Sequence, residues 1–397
     1  MQQSFLICGR QPSISLAEVL GAHPGIAVDA FGTAVLVVGH DSLGETAPRD
    51  FGSIPKSGVH LGILEKFSEH EIADILESKI SGARKFNFGV SAYAYADSVA
   101  PAADVVKRIG IATKRLLKQR GHSVRFVESR SGNLSTVDVA KNRLLEDGVE
   151  VCVFATPDGF EYGITQAVQP FAEYAERDHA RPGRDARRGM LPPKLARTMV
   201  NLASLQGEGI VLDPFCGVGT VLQEASLLGY QTIGTDIDEG AVDATIKNLN
   251  WLREQNPELS SQRIEALDVR SINTRLEKES VDAVVSELDL GPPLSGAEPL
   301  SRIMSIEREL SGLYSEAFGV LHDVLKTGGR AVVAWPYFYR YQVFISAFDL
   351  LSGMGWKVIR PYERTYDHVF PLSGRGTLLY GRDDQQVFRE IILLEKT

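Results

Sequence analysis

Apolar positions recur along this chain with two periods, every second residue in short runs and every third to fourth in longer ones. Residues 4–8 (Ser-Phe-Leu-Ile-Cys) read as a strand. A helix follows, with Ser15-Leu16-Ala17-Glu18 as its capping box, in which the Ser and Glu side chains satisfy exposed backbone N–H groups. Residues 26–38 read as two short strands broken at Phe31-Gly32, and a strand at 59–64 precedes a helix at 69–78. The order β-α-β-β-α predicts a ferredoxin-like unit over 1–84. From Lys85 the pattern restarts. Residues 86–95 read as a strand and 103–120 as an amphipathic helix, with Val106, Ile109, Ala112 and Leu116 at helical spacing and Lys107, Lys114, Arg115 and Lys118 on the other side. A strand at 124–128, a helix at 136–146 capped at Ser135 and ended by Gly148, and strands at 149–155 and 160–169 complete a second α+β unit over 85–170.

Residues 171–190 have no period and are rich in Arg, Pro and Gly, so they read as a linker. Over 191–397, strands at 209–213, 231–236, 263–267, 281–286, 330–335 and 357–360 alternate with helical segments. That alternation predicts an α/β, Rossmann-like, doubly wound, mostly parallel sheet. Residues 377–380 and 387–394 read as a hairpin that places one antiparallel strand at the sheet edge.

With 397 residues, 44% of them hydrophobic and 23% charged, the chain has material for two or three cores. Met1-Gln2-Gln3-Ser4 carries no basic residue before the first apolar run, unlike a secretory signal. No apolar run approaches the ~20 residues of a membrane span. Cys8, Cys152 and Cys216 are too dispersed for disulfides or zinc, and His122, His179 and His368 have no metal spacing, so a metal-free cytoplasmic protein is expected. The net charge of −9 opposes nucleic-acid binding on average, but basic residues dominate windows 107–125 and 177–197, and an acidic protein can present a basic face.

The strongest chemical signal is Val211-Leu212-Asp213-Pro214-Phe215-Cys216-Gly217-Val218-Gly219-Thr220, an apolar strand entering a glycine turn before a helix. Ligands bind at the C-terminal ends of such strands, where Gly217 and Gly219 allow close backbone approach. Asp236 ends the next strand, about twenty residues on, and can accept from both hydroxyls of a ribose. Asp268 ends the third strand and can accept from an adenine amino group. A pyrophosphate needs a free helix N-terminus, whereas Asp213 inside the loop repels phosphate and suits a ligand carrying ammonium and sulfonium charge. S-adenosylmethionine (SAM) is such a ligand. The acid and the absence of Gly-x-Gly-x-x-Gly argue against a nicotinamide oxidoreductase.

Asp213–Thr220 resembles the Asp-Pro-Phe-Cys-Gly-x-Gly-Thr motif of class I methyltransferases that act on exocyclic amines. Arg181-Pro182-Gly183-Arg184-Asp185-Ala186 and Gly189-Met190-Leu191-Pro192-Pro193-Lys194-Leu195-Ala196 resemble the interdomain junction of the THUMP-domain tRNA guanine-N2 methyltransferases that act at position 10. Residues 85–170 are similar to a THUMP domain with a ferredoxin-like companion. The resemblance implies SAM as methyl donor and tRNA as partner. It places Pro192, Asp213, Phe215, Cys216, Gly217, Gly219, Thr220, Asp236, Ile237, Asp268 and Val269 at the cofactor, and Lys107, Lys114, Arg115, Lys118, Arg184 and Arg187 at the RNA. A small activating subunit is not readable from the chain.

The chain departs from the family pattern after the fourth strand, where Asp/Asn-Pro-Pro-Tyr/Phe aligns the amine and stacks the base. It reads Ser286-Glu287-Leu288-Asp289-Leu290-Gly291-Pro292-Pro293-Leu294. Glu287, Asp289 and Pro292 are the expected catalytic positions: in the favoured register Glu287 takes the place of the acid, in the other Gly291-Pro292-Pro293-Leu294 keeps both prolines without the acid, and Trp335 or Tyr337 is a candidate replacement ring. The altered motif also suits a tRNA-binding relative without transfer, whereas the THUMP-like half argues against a DNA amino methyltransferase.

Overall fold

The computed structural model describes residues 2–40, 42–80, 85–129, 132–184, 190–382 and 384–397. The chain forms two compact units, Met1–Leu16 with Gly25–Ala172 and Ala17–Pro24 with Glu173–Thr397.

The first unit contains β1 (Gln3–Ile7), the start of α1 (Pro12–Ala22), β2 (Val28–Gly32), β3 (Val35–Val38), α2 (Leu43–Asp50), β4 (Lys56–Leu64), α3 (Glu69–Glu77), β5 (Phe86–Ala94), α4 (Ala103–Gln119), β6 (Val124–Phe126), α5 (Thr136–Lys141), β7 (Gly148–Thr156) and β8 (Gly159–Val168). All eight strands form one sheet, in the order β2-β3-β1-β4-β8-β7-β5-β6. The boundary expected at 84/85 is crossed by this sheet, because β4 pairs β8 from Lys56↔Val168 to Leu64↔Phe160. The core crosses it as well. Ile72 and Leu76 of α3 share one apolar cluster with Val106 and Leu117 of α4 and with Phe88 and Val151. On α5 the capping box forms in full between Ser135 and Asp138.

The second unit takes in the rest of α1 and, from Glu173, the end of α6 (Phe171–Ala175), which runs into a π-helical turn at Glu176–Ala180. The remaining elements are α7 (Pro193–Leu202), β9 (Ile210–Asp213), α8 (Thr220–Leu227), β10 (Gln231–Asp236), α9 (Glu239–Gln255), β11 (Gln262–Ala266), β12 (Val281–Glu287), α10 (Leu300–Val324), β13 (Leu325–Tyr337), β14 (Trp356–Ile359), β15 (Leu378–Tyr380) and β16 (Phe388–Lys396). The sheet order is β11-β10-β9-β12-β13-β16-β14, with β15 paired to β16. β9–β13 run parallel, and β16 is antiparallel to both β13 and β14. The order reverses at β9/β12, the switch point where ligands bind in open α/β sheets.

Two expectations change here. The hairpin forms, but its second strand lies inside the sheet rather than at its edge. Ile391, Ile392, Leu393 and Leu394 are all buried, the pattern of a strand covered on both faces. Residues 171–184 are not a solvated linker. Arg177 and Arg197 both donate to the fully buried Glu224 of α8, at 2.7 and 2.9 Å. Gly183 exchanges two hydrogen bonds with the buried side chain of Asn248, which also donates to Val218 O. Buried charges persist where they are paired, and this pairing is the reason a segment without an apolar period is ordered. Among the described residues, no helix is long and apolar enough to cross a membrane.

Candidate active site

Parallel pairing sets the ends of β9, β10, β11 and β12 along one rim of the second sheet, with Gly234 opposite Asp213 and Asp236 opposite Ala266. Each of these ends carries an acid. Asp213 is buried and accepts from Ser286 Oγ at 2.6 Å and from Phe215 N at 3.3 Å. Burial pushes its carboxyl up to about 7, and the neighbouring charges of Asp236 and Glu287 push the same way. Asp236 accepts from Gly217 N and from Asp238 N, both at 2.9 Å. Neither Asp213 nor Asp236 forms a salt bridge among the described residues.

The glycine turn is locked from both sides. Gly217 N is held by Asp236 and Gly217 O accepts from Thr245 Oγ1 at 2.8 Å. Gly217 and Gly219 have φ of +53° and +80°, the left-handed region that glycine enters without strain. A Cβ on Gly219 would meet Thr245 at 2.9 Å, whereas one on Gly217 would meet nothing within 4 Å. The turn therefore packs tightly on its α9 side and faces open space at Gly217. Cys216 is buried beneath it, its thiol pushed well above the ordinary value by burial. Thr220, at the start of α8, accepts from the buried Arg181 at 2.8 Å.

The other expected cofactor positions divide. Pro192 is the N-cap of α7, Phe215 is partly buried beside the core, and Val269 is in that core. Ile237 is 71% exposed directly after Asp236. Asp268 caps its own short helix through Arg270 N and pairs with the Arg270 guanidinium at 2.5 Å, so its carboxylate is already partly engaged.

The altered motif also divides. Glu287 ends β12 and ion-pairs with Arg389 Nε, with side-chain exposures of 16% and 11%. Burial holds the Glu287 carboxyl above its ordinary value, and Arg389 opposes that shift. Leu288 is only 2% exposed and packs in the core with Leu212, Ile303 and Ile306. Asp289 and Pro292 are exposed on the loop beyond it. The Asp289 carboxylate accepts from Gly291 N at 2.9 Å, and its backbone carbonyl accepts from Tyr314 OH. Neither candidate ring is open. Trp335 is fully buried, stacked on Tyr314 and donating to Glu390 at 2.7 Å, and Tyr337 is 3% exposed and stacked on Phe344. Sequence reasoning missed Arg389, because nothing near it in the chain indicates that β16 lies beside β13.

The basic positions behave differently. Lys107, Arg115 and Lys118 are exposed and Lys114 is half-buried, while Val106, Ile109 and Leu117 face the core. Lys107 pairs with Glu128 at 2.5 Å. Arg184 is exposed and donates to His179 O at 3.2 Å, and Arg187 lies outside the described residues. In the window 177–197, Arg177, Arg181 and Arg197 are buried with partners and so form no exposed basic face. A cleft of about 430 Å³ that includes Gln206, Asp282 and Lys326 opens at the N-terminal ends of β12 and β13, away from the acids.

The sheet order, the central switch point and the inserted antiparallel strand define a class I methyltransferase fold. The crystal structure of TrmN from Thermus thermophilus superposes over the whole of both chains with a TM-score of 0.55 at 17% identity, which supports the fold. The family described as "RMKL-like, methyltransferase domain" matches residues 181–350. The tRNA (guanine(10)-N2)-dimethyltransferase of Methanocaldococcus jannaschii is 36% identical over 148 residues, 37% of this chain and 38% of that protein. A probable tRNA (guanine(10)-N2)-dimethyltransferase of Methanothermococcus thermolithotrophicus is 34% identical over 141 residues, 36% of this chain and 78% of that protein. The chain belongs to this methyltransferase family. Its alignments span about two fifths of the length of the Methanocaldococcus protein and of a second relative, from Methanothermobacter thermautotrophicus.

Proposed function

We propose that this chain transfers a methyl group from SAM to the exocyclic N2 amine of a guanosine in tRNA, at position 10, in the cytoplasm. The observation that carries the reading is the run of acids around the open glycine turn, at the rim of a class I sheet in a member of this family. The donor set fits SAM. Asp236 offers a carboxylate beside Gly217 for the ribose hydroxyls, with Ile237 exposed next to it as an apolar contact. Asp213 places a negative group where a phosphate would be repelled and a cation favoured. Pro192, Phe215, Cys216, Gly219, Thr220, Asp268 and Val269 complete the cofactor surroundings. When bound, SAM supplies an electrophilic methyl on a sulfonium.

The chain's own residues position the acceptor. Glu287 accepts from the amine, and the ion pair with Arg389 favours its charged form against the opposing effect of burial. Asp289 and Pro292 shape the loop around it. Lys114, Arg115 and Lys118, with Lys107 partly engaged by Glu128, provide phosphate contacts, as do Arg184 and Arg187. Incubation with labelled SAM and unmodified tRNA, followed by nucleoside analysis, tests the reading, which requires N2-methylated guanosine. A second reading, a tRNA-binding relative without transfer, is favoured by the burial of Leu288 and the salt-bridged Glu287. It predicts tRNA binding with no methylated nucleoside even at enzyme excess.

A further inference from the structure

Tyr339 stands out among the large apolar side chains of the second unit. It is the only aromatic among the large exposed hydrophobic residues described, at 39%, although its ring already stacks on Phe388 with centroids 4.1 Å apart and planes within 8°. It follows β13 by two residues, at the rim where the acids lie. Phe388 opens β16 at that same rim, because β16 runs antiparallel and pairs Phe388 with Tyr337. The next residue, Arg389, reaches Glu287. The turn carrying Tyr339 is tied to the loop after β12, since Arg340 donates to Gly296 O and Tyr341 OH donates to Glu298 O at 2.7 Å. The exposed ring is thus held on a stacked partner and braced against the loop that follows Glu287.

We infer that Tyr339, backed by Phe388, is the stacking platform for the purine base presented to Glu287. The inference rests on the proposed methyl transfer and names the residue that takes the place of the ring absent after β12. Solvent exposure of a rigidly backed aromatic is what a base with its own π-face can exploit, whatever its hydrogen-bonding edge. Leu288, Trp335 and Tyr337 are buried and so offer no open face to a base.

The test compares Tyr339→Ala and Tyr339→Phe with wild type in single-turnover methylation of unmodified tRNA, alongside SAM affinity by calorimetry. The alanine variant is expected to lose roughly ten- to a hundredfold in rate and the phenylalanine variant about twofold or less, with SAM affinity unchanged in both. An alanine variant as fast as wild type overturns the platform and leaves methyl transfer standing. If wild type gives no methylated guanosine, the functional reading fails instead. The platform then stands or falls on fluorescence quenching of 2-aminopurine riboside, which wild type must show and Tyr339→Ala must lose. Absence of quenching by wild type overturns it.

Discussion

Replacing Arg389 by Met should unbalance the site in a way that depends on pH. In the native structure Arg389 and Glu287 are nearly buried together, and breaking a buried pair on one side costs ~3–5 kcal/mol because it strands a charge. Glu287 has an escape: its carboxyl is already held above the ordinary value by burial, so it can take up a proton once Arg389 is gone. An acid whose folded pKa exceeds its unfolded one contributes stability that is fully present below the unfolded value and lost as pH rises through the folded value. Removing Arg389 raises the folded value further. The penalty of Arg389→Met should therefore be smallest at acid pH and grow toward the full ~3–5 kcal/mol as pH rises through the raised Glu287 value. Glu287→Gln in the same chain should restore most of that loss and flatten its pH dependence. Urea unfolding followed by tryptophan fluorescence reads the effect selectively, since Trp251, Trp335 and Trp356 all lie in the second unit. A penalty that stays flat from pH 5 to 9, or a double variant no better than Arg389→Met, refutes the pairing argument.

Three other outcomes are expected. Asp236→Ala should weaken SAM binding roughly ten- to a hundredfold, since a charge-assisted hydrogen bond contributes ~1.5–3 kcal/mol; unchanged calorimetric affinity in a folded variant removes Asp236 from the site. A cationic ligand favours the charged form of Asp213, whose carboxyl lies at about 7, so wild-type SAM affinity relative to Asp213→Asn should rise between pH 6 and 8. Parallel pH profiles for the two proteins contradict this. Charge reversal of Lys114, Arg115 and Lys118 should lower the salt slope of tRNA binding by a little under ~1 per lost phosphate contact, and Lys107 should contribute less because Glu128 already engages it. An unaltered slope returns that helix face to solvent.

Local determinants were the legible ones. The glycine turn and the acids at three strand ends depend on neighbours within a few residues, and they occupy the expected positions around β9–β11. The box at Ser135 and Asp138 likewise closes within one turn. What escaped depends on distant pairings. Residues 171–184 lack an apolar period because they are fastened by Arg177 to Glu224, Arg181 to Thr220 and Gly183 to Asn248, partners 39 to 65 residues away. α2 was missed because its eight residues contain Pro48 and Ser42 makes no side-chain cap. The near-continuous apolar run in β16 fits an edge hairpin as a sequence but a central strand in space, and only its register with β13 and β14 distinguishes them.

That register has a chemical consequence. In the family pattern one turn after the fourth strand holds both the amine acceptor and the ring, so a single loop fixes their relation. Here Leu288 is drawn into the core with Leu212 and with Ile303 and Ile306 of α10, so the residue after Glu287 offers no side chain for a base to stack on. In the proposed site the supporting residues come instead from the first two positions of β16. Successive side chains on a strand point to opposite faces. Arg389 can therefore reach Glu287 across one face while Phe388 backs Tyr339 from the other. The same alternation couples the two contacts, because a one-residue slip of β16 against β13 exchanges every face. Such a slip would direct Phe388 toward a buried carboxylate and Arg389 toward an aromatic ring. The pairing of Tyr337 with Phe388, continued through Arg330 with Glu395, thus fixes charge and ring together at the rim.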